Sequence, residues 1–301
     1  MSLAAAWPSQ LAWFAHRVAG ARRLGVFDPV TQRLLDVDTG FAGDAEQQHL
    51  AAAGLRQSDL AALATRGQAL DPDTIEWDTP LRRPGKILCL GKNFLLHARE
   101  FGAEVPDEPI FFTKLPDTLL PHRGAVVLPH WVTSRIDHEV ELGVVLGFPD
   151  PMQRGRKYVS EAEALQLVAG YTILNDVTAR TMQHEDRTRQ QPWLRCKSFD
   201  TFLPLGPMVV PADALSHDFD LAIECRVNDA VRQSSRTSLM VVGVAAAIAY
   251  LSKHVTLRPG DLIAMGTPEG VGPLQDGDRV TCSIESLGTL MNSVVREIAP
   301  R

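Results

Sequence analysis

The chain has 301 residues, 45% hydrophobic and 22% charged, the balance of a globular protein with room for one large domain or two modest ones. A formal net charge of -6 and the lack of any Lys/Arg run argue against nucleic acid or an anionic membrane as partner, but not against a small anionic substrate. The four cysteines, Cys89, Cys196, Cys225 and Cys282, form no C-x-x-C pair, which removes the signal for a zinc ribbon or thioredoxin-like site and fits a reducing, cytoplasmic setting.

In chain order, MSLAAAWPSQLAWFAHRVAG is apolar but has no basic segment ahead of the apolar part, so it is read as mature protein. RRLGVFDP and RLLDVD read as two short strands turning through DPVT. AEQQHLAAAG and SDLAALATRG, each closing on glycine, read as helices. LDPDTIEWDTPLRRPG holds Pro72, Pro80 and Pro84, which suits an extended connector. The expected division is therefore a small N-terminal α/β domain over residues 1–84 and a larger domain over residues 85–301.

Beyond the connector, KILCLG, PIFFTKL, AVVLP, HEVELGVVLG, YTILNDV, LGPMVV, LAIECRV, LIAMGT and RVTCSIE read as strands. VNDAVRQ reads as a hairpin turning at Asn228–Asp229. EAEALQLVAG and LMVVGVAAAIAYLS read as helices, and the apolar run from Leu239 to Leu251 is too short to span a bilayer. Many strands and few helices predict a β-rich α+β fold rather than a doubly wound sheet.

Candidate chemistry begins in IDHEVELGVVLG. Residues two apart on a strand share a face, so Glu139 and Glu141 point one way while Val140, Leu142 and Val144 point the other. Alone, that pattern fits a strand with a solvated face. The continuation GVVLG is apolar on both faces, however, and a buried strand carrying two carboxylates needs a cation. In YTILNDVTAR, Asp176 ends an apolar strand, either as a third ligand or as the cap of a following helix. Carboxylates without Cys or His select a hard ion, Mg2+ first, with Mn2+ or Ca2+ as alternatives.

In GKNFLLHAREFG, Asn93 is a helix N-cap candidate, and His97 and Glu100 are neighbours on one helix face. A carboxylate beside an imidazole suits a general base acting on water, although a surface His–Glu pair has the same spacing. WLRCKSFDTFLPLGP sets Lys197 before a proline-bounded turn. RPGDLIAMGTPEGVG places glycines and Thr267 after a strand, where backbone N–H groups and a hydroxyl suit a substrate carboxylate or simply make a turn.

Taken together and in order, GKNFLLHAREFG, PIFFTKLPDTLL, DHEVELGVVLG, AGYTILNDVTAR, LRCKSFDTFLPLGP and RPGDLIAMGTPEGVG resemble the fumarylacetoacetate hydrolase family over residues 85–297. The resemblance implies a mixed β-roll, a homodimer with an active site in each subunit, and a catalytic role for the larger domain. It implies Glu139, Glu141 and Asp176 as metal ligands, His97 and Glu100 as a pair on a lid helix, and Lys197 as the active-site lysine. It further implies substrate contacts from Arg180 and Gln183, and a carboxylate contact from Thr267. Phe94, Lys92, His138 and Cys196 depart from the family's usual residues around the pocket.

The reaction so implied is hydrolysis of a carbon–carbon bond in a 2,4-dioxo acid of the acylpyruvate or fumarylpyruvate type. The alternative is decarboxylation or isomerisation of a related 2-oxo acid, of the oxaloacetate or 2-hydroxyhepta-2,4-dienedioate type, and dehydration of a sugar acid ranks third. A catalytically silent binder on the same scaffold would have no use for His97, Glu100 and Lys197 together.

Overall fold

The structure, a computed structural model, describes residues 7–40, 54–100, 108–150, 153–216 and 218–299. The chain opens with β1 (Ala12–Val18), β2 (Ala21–Asp28) and β3 (Arg33–Gly40), then α1 (Gln57–Ala64). Two short strands follow, β4 (Gln68–Leu70) and β5 (Glu76–Asp78). Next come β6 (Ile87–Gly91), α2 (Leu95–Glu100), β7 (Ile110–Thr113), β8 (Leu119–Leu120) and β9 (Ala125–Leu128). The middle of the chain holds β10 (Ile136–His138), β11 (Val140–Leu146), α3 (Glu161–Ala164) and β12 (Val168–Asn175). It continues with β13 (Thr178–Ala179), α4 (Arg180–Thr188), α5 (Leu194–Lys197) and β14 (Leu203–Pro211). The last part comprises β15 (Ala222–Val227), β16 (Ala230–Arg236) and α6 (Val244–His254). It closes with β17 (Leu262–Ala264), β18 (Gly272–Pro273), β19 (Arg279–Ile284) and β20 (Gly288–Arg296).

These strands form a β-rich α+β fold. The large sheet runs in the order β4-β3-β2-β1-β14-β12-β11-β17-β6-β7, with β5 on β1 and β8 on β14. A second sheet runs β16-β15-β19-β20-β9, and a small third one runs β13-β10-β18. Every residue of β11, β12 and β14 is buried, as expected for strands covered on both faces, and their sequences are apolar apart from Glu141, Thr172 and Asn175. The β15–β16 hairpin turns where expected: Asn228 and Asp229 both take positive φ, 52° and 68°, matching the right-handed twist of the strands. Among the described residues, no helix is long and apolar enough to cross a membrane.

Several elements differ from the sequence reading. HEVELGVVLG is two strands in two sheets, because β10 and β11 part at Glu139, whose N–H goes to the Asn175 side chain at 2.8 Å instead of a ladder carbonyl. The proline-rich connector contains β5, which pairs with β1. The helix drawn from Leu239 starts at Val244, where Gly243 sits in extended backbone as its N-cap. The EAEALQLVAG helix is one α-turn, after which Val168 already belongs to β12. Most of AEQQHLAAAG lies outside the described residues. The boundary proposed near residue 84 falls between β5 and β6.

Two pairings set up the site. β11 and β12 are antiparallel with Val140 opposite Asn175, so Glu139 and Asp176 lie one step beyond the last pair. There the Asp176 N–H donates to the Glu139 carbonyl at 2.8 Å. Two carboxylates are thereby held at neighbouring strand ends, beside Glu141 within β11.

Candidate active site

One ligand oxygen from each of Glu139, Glu141 and Asp176 lies within 4.8 Å of the others, and all three residues are buried. Such like-charged groups cannot stand together without cations. The Lys197 ammonium, carried on α5, donates to Glu139 Oε2 at 2.8 Å and Asp176 Oδ2 at 2.6 Å. Lys114 reaches Asp176 Oδ1 at 2.6 Å and the Val177 carbonyl at 3.2 Å. Arg180, at the first position of α4, bonds Glu139 Oε1, Asp137 Oδ2 at 2.8 Å and Gln183 Oε1 at 2.6 Å. Asp176 caps no helix: α4 starts at Arg180 after Ala179.

Compensation is uneven. Burial by itself would raise the Glu139 carboxyl, but Lys197 and Arg180 hold it far below the usual carboxylate range. Among the described residues the Glu141 side chain receives one hydrogen bond, from the Gly266 N–H at 2.8 Å. Burial, then the charges of Asp176 and Glu139, push its carboxyl well above that range. Among the described residues no Lys or Arg forms an ion pair with it. A 2% exposed carboxylate short of positive charge, within reach of two others and without sulfur or nitrogen donors, fits a hard divalent cation. Gly266 is required for this contact. Its φ is 88°, and a Cβ there would stand 2.8 Å from Asn93 Cβ.

These groups form the floor of a cavity of about 340 Å³. The same cavity is lined by His97, Lys197, Gln183 and Thr267, with Phe112 and Trp193 among its apolar walls. The nine residues singled out from sequence thus gather in one region, eight of them on the cavity and Glu100 behind His97. His97 Nδ1 lies 3.3 Å from Glu100 Oε2, which also accepts the Gly270 N–H at 3.3 Å. Burial opposes ionisation of Glu100, but the hydrogen bond and charge of His97 prevail and its carboxyl falls below the usual value.

Three side chains were not anticipated in these roles. Asn93 caps no helix; its amide donates to the Val242 and Met265 carbonyls at 3.0 and 2.7 Å and accepts the Val242 N–H at 2.7 Å. Lys114, 1% exposed, stands in for part of the missing positive charge. Gln233, also 1% exposed, sits behind the floor. Its Oε1 accepts the Val140 N–H and faces His138 Nδ1, each at 3.1 Å. Its Nε2 donates to Thr267 Oγ1 and the Pro268 carbonyl at 2.7 and 2.8 Å. The Thr267 hydroxyl proton goes to the Val140 carbonyl at 2.9 Å, so holding a substrate carboxylate would require it to change partner. A buried Lys at a strand end and a Gln in a hairpin carry no motif, and no local signal marks either.

Gln233→Ala strips partners from four buried polar groups. Each loss costs about 1–3 kcal/mol, so a destabilisation of about 3 kcal/mol or more is expected in urea unfolding. A loss under about 1 kcal/mol would show that Gln233 does not brace the floor.

The model of the fumarylacetoacetate (FAA) hydrolase C-terminal domain matches residues 86–295. A mitochondrial oxaloacetate tautomerase of Bos taurus is 42% identical over 241 residues, covering 78% of this chain and 74% of that protein. The crystal structure of 2-hydroxyhepta-2,4-diene-1,7-dioate isomerase from Mycobacterium marinum is similar at 30% identity and a TM-score of 0.73, covering 96% of this chain and 100% of that one. That of fumarylpyruvate hydrolase from Pseudomonas aeruginosa, in complex with Mn2+ and pyruvate, is similar at 34% identity and a TM-score of 0.66, covering 75% and 93%.

Proposed function

Because the chain belongs to the fumarylacetoacetate hydrolase family, we propose that it is a divalent-metal-dependent hydrolase that cleaves the C3–C4 bond of a 2,4-dioxo acid of the acylpyruvate or fumarylpyruvate type. The observation that carries this reading is a single cavity that holds a three-carboxylate floor and His97, with Glu100 bonded behind that imidazole. Glu139, Glu141 and Asp176 are the residues that would hold Mg2+ or Mn2+, with Ca2+ as a further candidate. The cation supplies Lewis-acid stabilisation of the charge on the leaving enolate.

The chain's own residues do the rest. Glu100, ionised, accepts the Nδ1 proton of His97 and so fixes the tautomer whose Nε2 takes a proton from water. The resulting hydroxide attacks the 4-oxo carbon, the C3–C4 bond breaks, and the pyruvate enolate departs to be protonated at C3. Lys197 keeps positive charge beside the developing anion. Arg180 and Gln183, bonded to each other on α4, line the wall where the acid's carboxylate and oxo groups sit. The active form is proposed to be a homodimer, as the family resemblance implies, in a reducing, cytoplasmic setting, which the four free cysteines fit.

A second reading has a specific support: the identity to the bovine tautomerase, 42%, exceeds that to the fumarylpyruvate hydrolase, 34%. On that reading the same base moves a proton on oxaloacetate or a dienedioate, or the site releases CO2, and no water is added. Purified protein with Mg2+ or Mn2+ decides between them. Hydrolysis bleaches the enol absorbance of an acylpyruvate and yields two acids by mass; if acylpyruvates are untouched while oxaloacetate tautomerises or loses CO2, the second reading stands. His97→Ala and Glu100→Gln are each expected to lower turnover by about a hundredfold or more, with Mn2+ affinity by calorimetry unchanged. Equal loss of both properties would remove the base assignment.

A further inference from the structure

The cavity has two chemically different ends. At the buried floor every cation is engaged: Lys197 by Glu139 and Asp176, Arg180 by Glu139 and Asp137. At the more exposed end stand Lys92 and Arg187. Among the described residues neither has an ion-pair or hydrogen-bond partner for its side chain. The acids nearest Arg187 along α4 are used elsewhere, Glu185 and Asp186 both pairing with Arg195. The same cavity wall also includes Leu90, Phe112 and Trp193.

Lys92 is held there at a cost. Its φ is 58°, in the left-handed region that a residue with a side chain rarely adopts. The stapled amide of Asn93 fixes the backbone immediately after it. Desolvation, and then the charge of Arg187, lower the Lys92 pKa, so the two cations weigh on each other, and among the described residues no acid pairs with either. A strained backbone that brings one ammonium beside an unpaired guanidinium on a cavity wall is explained by an anion that arrives with the ligand.

We propose that Lys92 and Arg187 bind a second carboxylate at the far end of the substrate, so that this site selects dianionic 2-oxo acids with an apolar carbon chain over monoanionic ones. The proposal rests on the reading of the floor as the seat of the 2-oxo acid group. It makes Lys92 and Arg187 specificity residues, remote from the bond that changes.

Binding of unreactive acids tests it. Calorimetry of the full-length, Mn2+-loaded protein compares pyruvate, which has no second carboxylate, with 2-oxoadipate, which has one. Wild type is expected to bind 2-oxoadipate more tightly. In Lys92→Met, Arg187→Met and the double variant that advantage should shrink, by about tenfold or more in the double variant, with pyruvate affinity and the thermal midpoint held. Equal binding of the two acids by wild type, or an unchanged preference in the double variant, overturns the proposal alone. Failure of both acids to bind wild type overturns it together with the reading of the floor. A matched 2-oxo acid ending in a phosphonate that binds more tightly than the dicarboxylate would overturn the assignment to carboxylate.

Discussion

Asp176→Ala is expected to have the largest effect of any single substitution, removing turnover by about a thousandfold or more and Mn2+ binding with it. Asp176 is one of three clustered carboxylates and the acceptor for two ammonium groups, Lys114 and Lys197, each at 2.6 Å. Both lysines are at most 2% exposed. Removing their common partner strands positive charge in the interior, which costs about 3–5 kcal/mol. Asp176→Asn separates the two consequences, because it keeps the shape and one carbonyl acceptor while losing the charge. Calorimetry with Mn2+, a thermal melt and a turnover assay should show the Asn variant folded, weak in metal binding and inactive. An Asn variant that turns over within about tenfold of wild type would end the case for a carboxylate-held cation.

Lys197→Met is expected to lose stability that Mn2+ then restores, without recovery of rate. The methionine keeps the apolar stem, which in the native chain packs its charged end 4.9 Å from the Phe112 ring centroid. Glu139 and Asp176 are left without the ammonium they share, so the metal-free variant should fall by about 3–5 kcal/mol. A divalent ion replaces that charge, and ligand linkage stabilises by about 2.7 kcal/mol at a hundred times the dissociation constant. Turnover is expected to stay depressed by about a hundredfold, since the ammonium proposed to face the reacting anion is gone. Thermal melts with and without Mn2+, read beside kcat, check this. Full recovery of kcat with metal would reduce Lys197 to a structural counter-ion.

The carboxylate pair was legible because side-chain alternation on a strand is local: Glu139 and Glu141 are two apart whatever the rest of the chain does. The reason they meet Asp176 was not legible. The chain leaves one sheet for another at Glu139, inside the run IDHEVEL, which has no Pro or Gly to mark the break. Asn93 shows the same limit. The spacing suggests an N-cap, but the groups its amide satisfies belong to Val242 and Met265, far along the chain, rather than to the adjacent helix. Gln233 and Lys114 act wholly through such distant partners. At the N-terminus, β1 is AWFAHRV with its first five residues buried, and a run buried on both faces has no period to betray it as a strand. Gly243 was the one mark dividing Leu239–Val242 from α6, and a single glycine inside an apolar run is easily passed over.

The large sheet passes from the N-terminal strands into the matched region without a seam, through Trp13 opposite Val209 and Phe14 opposite Met208. A protein trimmed to the family-matched segment would therefore present the backbone N–H and C=O groups around Met208 and Val209 as an open edge, ready to pair with another chain. The first strands thus serve as a cover against aggregation, whatever else they contribute.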